Sequence, residues 1–161
     1  MGNLRHEIVD SPTTVRSMAK SSVLILNGPN LNLLGSREPG IYGSATLQDH
    51  IDSATSAAAT HGLTVQSMQS NSESELVNAI HAASGVHDAI VINAGAFTHY
   101  SWSLHDALRS FDGKKIEVHL SNPVAREDFR HVSVLAGVVD GSISGFGGLS
   151  YVLAIHALVA M

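Results

Sequence analysis

Between residues 22 and 161 the chain switches repeatedly between short apolar runs and longer segments whose apolar residues recur every three or four positions. Val23-Leu24-Ile25-Leu26 and Ala89-Ile90-Val91-Ile92 are unbroken apolar runs, the pattern of parallel strands buried on both faces. Residues 63–69 set Leu63, Val65, Ser67 and Gln69 against polar neighbours and predict an outer strand. Residues 115–120 predict a fourth strand and 142–146 a short fifth. The intervening segments carry helical spacing. Residues 46–62 put Leu47, Ile51, Ala54 and Ala58 on one face, opened by a Thr46/Asp49 capping box and closed at Gly62. Ser72-Glu73-Ser74-Glu75 predicts a second capping box, with Leu76, Val77, Ile80 and Ala83 inward and a stop near Gly85. A third helix is predicted from about residue 100 to 111 with Leu104, Ala107, Leu108 and Phe111 inward. A last one, over 148–161, is apolar almost all round and so is expected against the sheet or a subunit neighbour.

Five strand–helix units in succession predict a three-layer α/β fold, a parallel sheet with helices on both faces. For a chain this short the natural arrangement is flavodoxin-like, with strand order 2-1-3-4-5. Ligands of such sheets bind beyond the carboxyl ends of the strands, which directs attention to Asn30, Asn93 and the stretch from His119 to Ser121. Residues 1–20 are polar and without sustained period, and read as a loosely docked or disordered extension; residues 21–161 read as one domain.

Composition narrows the picture. Of 161 residues 44% are hydrophobic and 14% charged, the balance of a folded globular chain, and the low charge with many Ala, Gly and Ser suits an oligomer. Acids outnumber bases 14 to 9 for a net charge of −5, which argues against a nucleic-acid groove. There is no Cys, hence no disulfide framework, and no apolar run reaches the roughly 20 residues of a membrane span. Together these suit a cytoplasmic chain without membrane contact.

Four stretches carry candidate chemistry. Residues 25–43, ILNGPNLNLLGSREPGIYG, are a strand emptying into a loop far longer than the usual two to six or so residues, with Arg37, Glu38 and Tyr42 on it: the make-up of a substrate lid. Tyr is a poor base at neutral pH unless a cation favours its phenolate, and Arg37 is the nearest supply. On strand four, Ile116, Val118 and Leu120 face one way while Glu117, His119 and Ser121 face the other. A strand covered on both faces would be apolar throughout, so this one either lies at an edge or opens on a polar cleft. There Glu117 would orient His119 and favour its charged form, making His119 a candidate general acid. Asn93 and His99 flank the start of a helix suited to anions or hydroxyls. Arg126 and Arg130 have the spacing of one helical turn and the chemistry to grip a carboxylate, although spacing alone ranks them, like Asp106, as surface residues. The remaining His residues show no metal-ligand spacing, and no metal is assigned.

Taken together these segments resemble the type II 3-dehydroquinases, that is, 3-dehydroquinate dehydratases. The resemblance covers roughly residues 22–151 and is carried by LNGPNLNLLGSREPGIYG, followed in the family's order by SNSESEL, NAGAFTHYS, IEVHLSN and AREDFR. It implies a lyase converting 3-dehydroquinate to 3-dehydroshikimate through an enolate, in aromatic amino-acid biosynthesis or quinate breakdown, with neither metal nor redox cofactor. It implies Tyr42 as the base with Arg37 beside it, Asn30 positioning a water near the enolate, and His119 as the acid oriented by Glu117. It implies substrate contacts from Asn93, His99, Leu120, Ser121 and Arg130, support from Arg126, and Asp106 contributed by a neighbouring subunit of a dodecamer built from trimers. Two departures stand out. Pro123 and Val124 replace a common apolar–His pair, Pro123 stiffening the turn, and Val132 stands where a basic or His residue is commoner. The alternative is a catalytically silent flavodoxin-like oligomer that binds or scaffolds.

Overall fold

The structure is a computed structural model that describes residues 21–36 and 44–161. The extension at residues 1–20 and the loop residues Arg37, Glu38 and Tyr42 lie outside the described residues. Five strands, β1 (Ser22–Asn27), β2 (Thr64–Gln69), β3 (Ala89–Asn93), β4 (Lys114–His119) and β5 (Gly141–Ser144), form one all-parallel sheet in the order β2-β1-β3-β4-β5. Three helices connect the first four strands, α1 (Leu47–Thr60), α2 (Glu73–Ala83) and α3 (Trp102–Arg109), and a fourth, α4 (Leu149–Ala160), follows β5; between β4 and β5, where the sequence predicts another strand–helix unit, the described residues form two 3-10 turns instead. The sequence-predicted order 2-1-3-4-5 is the one observed, with β2 at an edge as its alternation predicted.

The apolar runs divide between two cores because successive residues of a strand face opposite ways. Val23, Ile25, Val91, Ile116 and Val118 pack with Ile51, Ala54 and Ala58 of α1 and Tyr151, Ile155 and Leu158 of α4. Leu24, Leu26, Ile90 and Ile92 pack on the other face with Leu76 and Ile80 of α2 and Leu104, Leu108 and Phe111 of α3. Helix α4 thus buries one face in the first core, while Leu149 and Val159 on its other sides remain exposed.

Local signals decide the helix ends unevenly. The Thr46/Asp49 capping box forms as predicted, with Thr46 Oγ1 accepting from the Asp49 N–H and the Asp49 carboxylate accepting from the Thr46 N–H. The second predicted box does not form. Ser72 is the N-cap residue of α2 but makes no side-chain cap bond. The Ser70 hydroxyl instead donates to the Glu75 carboxylate, and the Ser72 N–H, which a box would give to that carboxylate, donates to Ser70 Oγ at 2.9 Å. Helix α3 starts at Trp102, capped by Ser101, whose hydroxyl oxygen accepts from the Leu104 N–H at 3.0 Å; the residues before it, Gly95–His99, form a separate 3-10 turn. Arg126 and Arg130 likewise do not share a helical turn: a 3-10 turn at Pro123–Ala125 ends in an extended Arg126, and a second turn follows at Asp128–Arg130.

His50 sits in α1, 7% exposed, its ring stacked on Tyr151 of α4 with centroids 6.2 Å apart. A side chain on Gly148, at the start of α4, would collide with that ring. Its Nε2 has no hydrogen-bond partner among the described residues. Burial holds the imidazole below its ordinary range, outweighing the opposite pull of the adjacent Asp49. The folded chain therefore favours the neutral ring, while the unfolded chain takes up a proton below pH of about 6.5. The stability tied to this ring is complete above that pH and declines as pH falls through it. In urea denaturation, His50→Leu is expected to lose less stability than the native chain between about pH 7.5 and 5.5. Equal losses in the two proteins would contradict this.

Candidate active site

The carboxyl ends of β1, β3 and β4 meet at one cleft, and a glycine makes the meeting possible. The Gly28 N–H donates to the Asn93 carbonyl at 2.7 Å, and any side chain on Gly28 would overlap the Ala94 carbonyl. This close crossing sets Asn30 beside Asn93. Asn30 adopts a left-handed conformation with φ 66, which Asn tolerates better than most residues, and its N–H donates to the Asn71 side chain at 2.9 Å. Asn30, Asn93, His99, His119, Leu120, Ser121, Arg126 and Arg130 all line the cleft. Eight of the residues singled out in the sequence are thereby brought together, including the two arginines that spacing alone ranks as surface.

Behind His119 lies a buried carboxylate. Glu117 is 1% exposed although β4 is an inner strand, so the polar face of this strand opens on a cleft and not on an edge. His119 Nε2 donates to Glu117 Oε1 at 2.8 Å. The Thr98 hydroxyl bonds the same oxygen, the Ser133 hydroxyl lies 3.0 and 2.9 Å from the two oxygens, and the Ser142 hydroxyl lies 3.4 Å away. Burial pushes the carboxyl up, but the bonds from His119, Thr98 and Ser133 outweigh it and hold it below the usual carboxylate range. With Nε2 committed to Glu117, the imidazole has Nδ1 left for whatever enters the cleft.

The floor is a second buried polar chain. The Tyr151 hydroxyl donates to Asn27 Oδ1 at 2.6 Å and accepts from Asn93 Nδ2 at 3.0 Å, while Asn27 Nδ2 donates to the Met68 carbonyl at 3.3 Å. Burial raises the Tyr151 phenol far above its ordinary range, so it serves as a neutral hydroxyl. At the rim, His99 Nδ1 donates to the Val132 carbonyl at 2.8 Å, leaving Nε2 as the acceptor of that ring. Arg130 Nε donates to Glu127 at 2.8 Å, and its guanidinium lies 4.6 Å from the centre of the Phe129 ring. Arg126 Nε lies 3.4 Å from the same Glu127 oxygen. Two guanidinium groups, a histidine pair and amide groups around a concave wall suit an anionic ligand rich in hydroxyls.

Asp106 lies exposed on α3 and does not line this cleft. Tyr42 and Arg37 lie outside the described residues. Sequence reasoning missed Thr98, Ser133, Asn27 and Tyr151. One signal was available: a glutamate facing inward from a covered strand needs hydrogen-bond donors, and Thr98 stands inside the NAGAFTHYS stretch.

Replacing Tyr151 by Phe removes the shared hydroxyl and leaves Asn27 Oδ1 and Asn93 Nδ2 buried without it. The expected cost is about 1–3 kcal/mol of stability in chemical denaturation. An unchanged unfolding free energy would show that the hydroxyl is not needed there.

The family model described as "Dehydroquinase class II" matches residues 21–159. The chain is similar to the 3-dehydroquinate dehydratase of Ruegeria pomeroyi, 53% identical over 140 residues that make up 87% of this chain and 94% of that protein. It is also similar to the 3-dehydroquinate dehydratase of Nostoc sp., 53% identical over 143 residues, 89% of this chain and 97% of that one. Among solved structures, the type II dehydroquinase from Propionibacterium acnes superposes with a TM-score of 0.84 at 42% identity, covering 89% of this chain and 99% of that chain. With this fold, this cleft and these relatives, the chain belongs to the class II dehydroquinase family.

Proposed function

We propose that this chain is a hydro-lyase that dehydrates 3-dehydroquinate to 3-dehydroshikimate in the shikimate pathway, its working unit being residues 21–161. The observation that carries this reading is the His119–Glu117 pair, an imidazole held by a buried carboxylate at the wall of a cleft also lined by Asn30, Asn93, His99 and two arginines. The ketone of the substrate acidifies the adjacent C–H. Tyr42, its phenolate favoured by Arg37, removes that proton and an enolate forms. Asn30 positions a water that stabilises the developing oxyanion. The enolate then expels the neighbouring hydroxyl, which leaves as water with a proton from His119. Asn93, His99, Arg130 and the Leu120–Ser121 turn hold the ring and its carboxylate, and Arg126 supports them. No step in this scheme calls for a metal or a redox cofactor.

Assembly and location follow the same reading. Asp106 is exposed on α3, the helix whose first turn also exposes Trp102 at 62%. This supports a subunit interface at which Asp106 reaches a neighbour's cleft, and we take the assembly to be a dodecamer of trimers. A chain without Cys needs no oxidising compartment, and we place it in the cytoplasm. A silent scaffold would have no use for a glutamate buried to hold a histidine, and that alternative is not favoured.

The test is a continuous absorbance assay for the conjugated enone with purified protein, 3-dehydroquinate and a chelator. Turnover is expected to survive chelation and to fall about 10²- to 10⁴-fold in Tyr42→Phe with the fold intact. Near-native turnover in that variant would overturn the base assignment. No turnover by the native oligomer would overturn the function.

A further inference from the structure

The donors around Glu117 can be counted proton by proton, and the count fixes more than a stable core requires. Ser133 Oγ accepts the N–H of Leu135 at 3.1 Å and that of Ala136 at 3.0 Å. A hydroxyl oxygen has two lone pairs and one proton, so Ser133 Oγ is left only its proton to share, and the charged Glu117 oxygen at 2.9 Å is a stronger acceptor for it than the Thr98 hydroxyl at 3.0 Å. Thr98 Oγ1 lies 3.0 Å from Ser133 Oγ, but that oxygen has no acceptor capacity left. The Thr98 proton therefore also goes to Glu117. Two hydroxyl protons aimed at one carboxyl group favour its ionised, accepting form over the protonated one. His119 Nε2–H donates to the same carboxylate at 2.8 Å, and the Ser142 hydroxyl is a fourth, longer donor at 3.4 Å. The segments that carry these two residues are also joined at the rim of the cleft: the Val134 N–H donates to the Thr98 carbonyl at 2.8 Å, beside the bond from His99 to Val132.

We propose that Thr98 and Ser133 are positioning residues for the acid step: by committing both their protons to Glu117 they keep it an acceptor, so that His119 is held through Nε2–H and gives its proton from Nδ1. This rests on the reading that His119 protonates the departing hydroxyl. In that step the Nδ1–H bond breaks, an O–H bond forms on the leaving oxygen, the C–O bond breaks and water departs. The imidazole remains neutral with Nε2–H still on Glu117, and Nδ1 takes up a proton again before the next turnover. The other charged or titratable groups lining the cleft among the described residues are Arg126, Arg130 and His99; His99 bonds the Val132 carbonyl and Arg130 the Glu127 carboxylate.

The experiment compares Thr98→Val, Thr98→Ser and Ser133→Ala with the native protein in kcat and KM. In Thr98→Val and Ser133→Ala, kcat is expected to fall about tenfold to a hundredfold with KM within about twofold, since these residues touch the acid machinery and not the substrate. Thr98→Ser keeps the proton and should restore the rate. Nitrogen-15 NMR of the labelled histidines reads the arrangement without turnover: His119 in the native chain should carry its neutral-form proton on Nε2, and the two hydroxyl-deleting variants should show a mixture of tautomers. Native kcat in folded Thr98→Val and Ser133→Ala would overturn the proposal, as would a loss that Thr98→Ser fails to rescue or one confined to KM. If Thr98→Val does not fold, Ser133→Ala, which deletes only a half-buried hydroxyl, decides on the same criteria. If the native chain itself does not turn over 3-dehydroquinate, the functional reading fails. The tautomer comparison then supports the hydroxyl pairing, or sinks it, by itself.

Discussion

A carboxylate buried in the middle of a parallel sheet is the constraint around which the site is arranged. Moving an ion out of water costs several kcal/mol even after relaxation, and Glu117 sits between β3 and β5 with 1% of its surface exposed. That cost is offset only if donors arrive from several directions with good geometry. Here they come from the turn after β3, the segment between the last 3-10 turn and β5, β5 itself, and the next inward-facing position of β4. Each donor ties a different piece of backbone to the cleft. Satisfying one charge thereby fixes the 3-10 turn that carries His99 and the strap from His131 to Asp140.

The apolar cores and the polar seam divide the work. Both faces of the sheet are closed by Leu, Ile, Val and Ala packing that could be exchanged for similar volume at modest cost. The seam at the carboxyl ends of the strands has no such freedom, because Asn27, Asn93 and Tyr151 share their protons in one chain and Glu117, Thr98, Ser133 and His119 share theirs in another. Buried networks of this kind are favourable when complete and costly when a member is lost. His50 is the exception, a buried ring stacked on Tyr151 with an unpartnered nitrogen among the described residues. It gives the base of the site a sensitivity to acid that an aliphatic residue there would not have.

Much of this was legible in the sequence. Unbroken apolar runs located β1 and β3, alternation located the edge strand β2, and the polar residues interrupting β4 marked the place where the sheet opens on a cleft. The Thr46 capping box was readable because all of its partners lie within four residues. The Ser72 box failed for an equally local reason, since Ser70 competes for Glu75. What could not be read depends on partners far apart in the chain. Tyr151 and Asn27 are 124 residues apart, and Ser133 is 16 from Glu117 across two 3-10 turns. Arg126 and Arg130 were ranked as surface because helical spacing was the only geometry that sequence offered. The two short turns, with Pro123 opening the first, bring both to the cleft instead.

The most direct measurement is steady-state turnover of 3-dehydroquinate by Glu117→Gln. The amide keeps the shape of the carboxylate but accepts through one atom only and turns an NH₂ group toward donors that need acceptors. If the buried charge organises the acid, kcat falls by about 10²-fold or more in a folded variant, with little change in KM. Native kcat from that variant would mean that His119 works without the carboxylate, and the account built on Glu117 would be wrong.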